Sequence, residues 1–107
     1  IGLGIPAEPL FRSSYPVLDT ILAMHEAGVW IEVTNLVIPG INDEMDMIRQ
    51  MCRWLVSNDL AKAPLHFSRF FPRFKMQDIF PTPIQTLQAA KQVAEEEGIT
   101  HVYLGNV

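Results

Sequence analysis

The sequence predicts an α/β fold made of parallel strand–helix repeats. Helix-spaced apolar stripes, each with its own start and stop residues, alternate with short runs of β-branched and aromatic residues. The first residues of those runs, Val29, Leu65 and His101, are spaced 36 residues apart twice over, the length of a strand, a loop, a helix and a return. Strands joined through helices run parallel, so the chain reads as a three-stranded parallel sheet covered by helices.

Residues 1–14 read as a loop or poorly ordered N-terminal segment, because Gly2, Gly4, Pro6 and Pro9 break any regular pattern. Residues 15–107 carry the repeats. The first helix follows Ser13-Ser14-Tyr15, with Pro16 in its first turn, Val17, Leu18, Ile21 and Leu22 on its apolar stripe, and Gly28 as its stop. The first strand run, Val29 to Ile38, is expected at the centre of the sheet. The second helix opens at Asn42-Asp43-Glu44, whose side chains suit free N–H groups and the positive helix end. Met45, Ile48, Cys52 and Leu55 form its stripe, and it stops near Ser57-Asn58. Leu65 to Phe70 is the second strand. The third helix has Thr82 and Gln85 as a capping pair around Pro83, an apolar stripe through Ile84, Leu87 and Ala94, and Gly98 as its end; His101 to Leu104 is the last strand.

Composition narrows the function classes. A net charge of −4 with eight Lys and Arg leaves no basic field for a phosphate backbone, so nucleic acid is not expected as a partner. Apolar runs such as Leu36-Val37-Ile38 fall far short of the roughly 20 residues that cross a bilayer, and no membrane association is expected. One cysteine excludes an internal disulfide framework and makes the reducing cytoplasm the default location.

Ligands of parallel α/β sheets bind at the carboxyl ends of the strands. Alternation puts Trp30, Glu32, Thr34, Leu36 and Ile38 on one side of the first strand, a side that carries Glu32 and Thr34 and so suits a polar lumen better than a helix-packing face. The plainer alternative is that Glu32 stands partly exposed on an open sheet. His66, Ser68 and Phe70 form a similar set, although a strand histidine is more often structural than a ligand. Pro39-Gly40 suits a tight turn near a ligand, and equally a plain strand end. Arg69, Arg73 and Lys75 cluster with Phe70, Phe71 and Phe74 and can hold a carboxylate or an acidic partner, or form a solvated amphipathic loop. Cys52, on an apolar stripe, behaves as a small hydrophobe, and no catalytic or metal-ligating residue is assigned.

Taken together, Gly28-Val29-Trp30, Glu32, Thr34, Leu36-Val37-Ile38-Pro39-Gly40 and Asn42-Asp43 resemble a segment of the radical S-adenosylmethionine enzymes of the AmmeMemoRadiSam system. Leu65-His66-Phe67-Ser68-Arg69-Phe70-Phe71-Pro72-Arg73-Phe74-Lys75-Met76, then Pro81-Thr82-Pro83 and Val102-Tyr103-Leu104-Gly105-Asn106-Val107, resemble that family's closing signature in the same order. The turn Val37-Ile38-Pro39-Gly40 is also similar to that of pyruvate formate-lyase-activating enzymes. The resemblance covers about Pro16 to Val107 and implies the C-terminal half of a partial (β/α)6 barrel of TIM type. It implies a [4Fe-4S] cluster on a CxxxCxxC loop and reductive cleavage of S-adenosylmethionine to a 5′-deoxyadenosyl radical, with a protein substrate as a possible partner. It places the cofactor-binding positions at Glu32, Thr34, Leu36, Ile38, His66, Ser68 and Arg69. The cluster cysteines are absent here, so the isolated chain is expected to be inactive, to bind no cluster, and to self-associate through an uncovered edge and apolar face. The competing expectation is a non-catalytic α/β module that binds a partner through its open sheet edge.

Overall fold

In the computed structural model, which describes residues 16–72 and 80–107, three helices alternate with three strands. They are α1 (Pro16–Glu26), β1 (Val33–Val37), α2 (Met45–Ser57), β2 (Leu65–Arg69), α3 (Ile84–Glu96) and β3 (Val102–Gly105). The N-terminal segment 1–14, the trio Arg73, Phe74 and Lys75, and the side chain of Val17 lie outside the described residues.

The strands form one parallel sheet in the order β1-β2-β3, so the βα repeat is as expected. The central strand, however, is β2 and not the Val29–Ile38 run. α2 and α3 each return the chain beside the strand it has just left, so the sheet grows in one direction from β1. The first strand is also shorter than its β-branched run. Val29 N–H is occupied in closing α1, donating to Met24 C=O at 3.0 Å. Pairing starts only where Val33 N–H reaches Pro64 C=O at 2.9 Å, and Pro64, having no N–H, cannot extend the ladder backwards.

All three helices end in the same way. The N–H of Val29, Leu60 and Ile99 each bonds the carbonyl five residues back, at 2.9–3.0 Å, closing a Schellman motif. The residue before it has positive φ: Gly28 at 79°, Gly98 at 106°, and in α2 the non-glycine Asp59 at 64°. Helix starts differ from expectation. Glu44 and Pro83 occupy the N-cap positions and neither makes a side-chain cap bond. The polar residues nearby are committed elsewhere: Asn42 Oδ1 accepts from Ile38 N–H at 2.6 Å, its Nδ2 donates to Leu36 C=O at 2.8 Å, and Asp43 accepts from Gly40 N–H at 3.1 Å. These groups tie down the β1–α2 turn instead of the helix.

The helices cover one face of the sheet. Val33, Val37, Leu65 and Phe67 on that face pack with Leu18 and Ile21 of α1, Ile48, Met51, Cys52 and Leu55 of α2, and Leu87, Ala90 and Ala94 of α3, all buried. Arg49 and Arg53 on α2 reach Glu96 and Glu97 at the end of α3, with Arg53 Nε 2.9 Å from Glu97. Among the described residues no helix is long and apolar enough to cross a membrane.

Candidate functional site

Among the described residues no helix lies on the other face of the sheet. Along β1 the side chains alternate buried and exposed, so Thr34 and Leu36 stand on the uncovered side. Register carries that side across the sheet in two rows: Thr34, His66 and Tyr103, then Leu36, Ser68 and Gly105. In the second row the side chains are small on two strands. A Cβ added at Gly105 would lie 3.3 Å from Ser68 Oγ, so glycine leaves a notch there that any side chain would begin to fill.

The first row is a polar and aromatic strip. His66 Nε2 lies 2.8 Å from Glu32 Oε1, and the Trp30 indole N–H donates to Glu32 Oε2 at 3.0 Å. The His66 and Tyr103 rings stack with centroids 5.2 Å apart and planes 27° from parallel. The indole hydrogen bond first, and then the one from His66, hold the Glu32 carboxyl below its usual range. An exposed carboxylate is thereby fixed between two rings. Trp30 stays 74% exposed although its N–H is satisfied.

The carboxyl ends of β1 and β2 are joined by a residue read from sequence as a helix cap. Thr82 is fully buried, and its hydroxyl accepts from Phe70 N–H at 2.9 Å and donates to Val37 C=O. Its own N–H donates to Phe70 C=O at 3.0 Å. The hydroxyl occupies the place of the next ladder rung, which, counting on from Val33 N–H and Pro64 C=O, would join Phe70 N–H directly to Val37 C=O. Arg69 Nε donates to Thr82 C=O at 2.7 Å, and the Arg69 guanidinium lies over the Phe71 ring, 4.7 Å from its centroid.

Of the seven residues implied as cofactor-binding, Glu32, Thr34, Leu36, His66 and Ser68 gather on the open face. Ile38 lies one residue past β1, in the turn closed by Asn42. Arg69 follows the alternation of Leu65 and Phe67 and turns away from His66 and Ser68 towards Thr82. Sequence reasoning passed over Tyr103 and Thr82. The alternation of Val102, Tyr103 and Leu104 could have placed Tyr103 beside His66, whereas nothing local to Thr82 announces contacts with Val37 and Phe70.

Other sites are less suited to chemistry. A cavity of about 320 Å³ opens at the amino ends of the strands, between His25, Val29, Trp30, Asp59, Leu60 and Lys62, away from the βα loops. Among the described residues no three His, Cys, Asp or Glu side chains assemble as a metal site. The sole cysteine of the chain, Cys52, is fully buried in the core, and burial pushes its thiol up to about 12. These residues do not fit a [4Fe-4S] cluster, which needs three thiolates.

The fold and the open face define a parallel βα-repeat unit with helices on one side and a polar strip on the other. No protein-family model matches the chain. It is similar to an uncharacterized protein of Methanocaldococcus jannaschii, 45% identical over 92 residues that make up 86% of this chain and 28% of that protein. The chain therefore spans little more than a quarter of the length of the curated relative it matches.

Proposed function

We propose that the chain is the C-terminal part of a radical S-adenosylmethionine enzyme of the AmmeMemoRadiSam and pyruvate formate-lyase-activating kind, a half barrel whose inner face holds the cofactor. The observation that carries this reading is the polar face that no described helix covers, the three described helices lying on the opposite side as around a barrel lumen. The donor set suits the cofactor. Thr34 and Ser68 hydroxyls and the Glu32 carboxylate can meet ribose hydroxyls and cationic groups, the His66–Tyr103 pair offers a stacking surface, and the Gly105 notch beside Ser68 admits close approach. S-adenosylmethionine, when bound, supplies the carbon–sulfur bond that is reductively cleaved; the electron for that cleavage has its source outside these residues. A protein is the proposed substrate of the whole enzyme.

The test uses the full-length M. jannaschii relative, reconstituted anaerobically with iron and sulfide and reduced. Formation of 5′-deoxyadenosine from S-adenosylmethionine is the expected result. A relative that takes up no cluster and forms none of this product would overturn the radical reading. A second reading rests on the outer edges of β1 and β3, which pair with no further strand among the described residues, and an edge strand is a template to which another strand can add. On that reading the chain is a binding module: association seen by light scattering for the chain alone and retained in the longer protein would favour the module, whereas association that the longer protein suppresses would favour the half barrel.

A further inference from the structure

We propose that Arg69 anchors a binding site for a carboxylate-bearing ligand at the carboxyl end of the central strand. The inference rests on how this side chain is held and does not depend on the radical reading.

Arginines elsewhere in the described structure are neutralised. Arg49 and Arg53 are paired with Glu96 and Glu97. Among the described residues Arg69 instead bonds through its Nε–H alone, to the neutral carbonyl of Thr82, and rests its guanidinium on the Phe71 ring. No carboxylate among the described residues pairs with it. Its backbone is fixed as well. Phe70 N–H is held by the buried Thr82 hydroxyl, and Asn106 Nδ2 donates to Arg69 C=O at 3.4 Å. An arginine normally loses much rotamer freedom when it binds an anion; here the side chain is already held by Thr82 and Phe71, and no described residue takes its Nη hydrogens, which a ligand can use.

Charge and shape select the ligand class. One planar guanidinium balances one negative charge and presents a fork that matches the two oxygens of a carboxylate. A phosphate dianion is disfavoured, because the adjacent βα turn carries Asp43 and Glu44 and no second described cation joins Arg69. The carboxylate has two possible sources, the methionine part of S-adenosylmethionine or a separate acidic substrate.

The experiment is a titration of the 15N-labelled chain at constant ionic strength, following the Arg69 Nε–H resonance, which the Thr82 bond slows in exchange and R69K identifies by its loss. The probes are acetate, inorganic phosphate, S-adenosylmethionine and decarboxylated S-adenosylmethionine. Acetate should move the resonance saturably and phosphate less. A stronger response to S-adenosylmethionine than to its decarboxylated form would assign the carboxylate to the cofactor; equal or absent responses, with acetate active, would assign it to a separate substrate. F71L, which leaves the charge and the Thr82 bond in place, should weaken acetate binding severalfold while circular dichroism shows an intact fold. An Nε–H signal indifferent to acetate in the parent chain and in D78N, which removes an acid from the same β2–α3 connection, would overturn the proposal. So would a preference for phosphate. Neither result bears on deoxyadenosine formation by the longer relative, so the two readings fail separately.

Discussion

Replacing Thr82 with valine keeps the shape of the side chain and deletes its hydroxyl, so the effect reports hydrogen bonding and not a cavity. The hydroxyl serves two buried backbone groups, Phe70 N–H and Val37 C=O. An unsatisfied buried donor or acceptor costs about 1–3 kcal/mol, which puts T82V at about 2–6 kcal/mol for the two. Set against a typical total of about 5–15 kcal/mol, that is enough to shift the unfolding midpoint visibly. T82S retains the hydroxyl and should lose only about 1 kcal/mol for the missing methyl. Urea denaturation at one fixed chain concentration, followed by circular dichroism, measures both. Amide exchange at Phe70 should accelerate in T82V and not in T82S. If T82V stays within about 0.5 kcal/mol of the parent with Phe70 still protected, the strand ends have zipped directly and the bridging role assigned to Thr82 is wrong.

Other outcomes follow from the same geometry. The Glu32 carboxyl is held below its ordinary value in the folded chain, so its contribution is fully present above the unfolded value and is lost as pH falls through the lower folded one. In a W54F background, Trp30 fluorescence should therefore change in that acid window, and an identical profile in E32Q would remove Glu32 from the explanation. Cys52, whose thiol is raised to about 12 by burial, should resist alkylation by iodoacetamide in the native chain and react once urea unfolds it; rapid native labelling would contradict the packing described for α2. Asp59 adopts the left-handed conformation that α1 and α3 give to glycine, so D59G should stabilise the chain by roughly 0.5–1 kcal/mol, and a less stable variant would show that its 3.5 Å contact with His25 outweighs the backbone term.

The repeat was legible because its signals are local. The stripe Met45, Ile48, Cys52 and Leu55 and the stops at Gly28 and Gly98 depend on residues within a turn or two of one another. Side-chain alternation also placed Thr34 and Leu36 on the same face correctly. The misreadings came where a local motif was overruled by a distant partner. Thr82 looked like a cap because it precedes Pro83, yet its bonds run to Val37 and Phe70. Asn42 looked like a cap for α2, yet it closes the turn behind it. The Val29–Glu32 run has strand-forming residues without a strand, since pairing needs a neighbour and Pro64 ends the one available. Strand order was misjudged for a related reason: periodicity shows that strands alternate with helices and is silent about which lies in the middle.

The order β1-β2-β3 also bears on how the chain is made. Val33 waits only for Leu65, and Leu65 only for Val102, so each strand finds its partner in the next repeat to emerge. On a ribosome the first βα unit can collapse while the second is being synthesised, and the second can add to a template already in place. Among the described strands each new one adds at the edge of the strand made just before it. A doubly wound sheet, which must later insert strands on its opposite side, lacks that economy. Moving the β3 coding segment ahead of α1 by circular permutation would break the sequence of arrivals while keeping the residues that pair β2 with β3, and should slow folding more than it lowers stability.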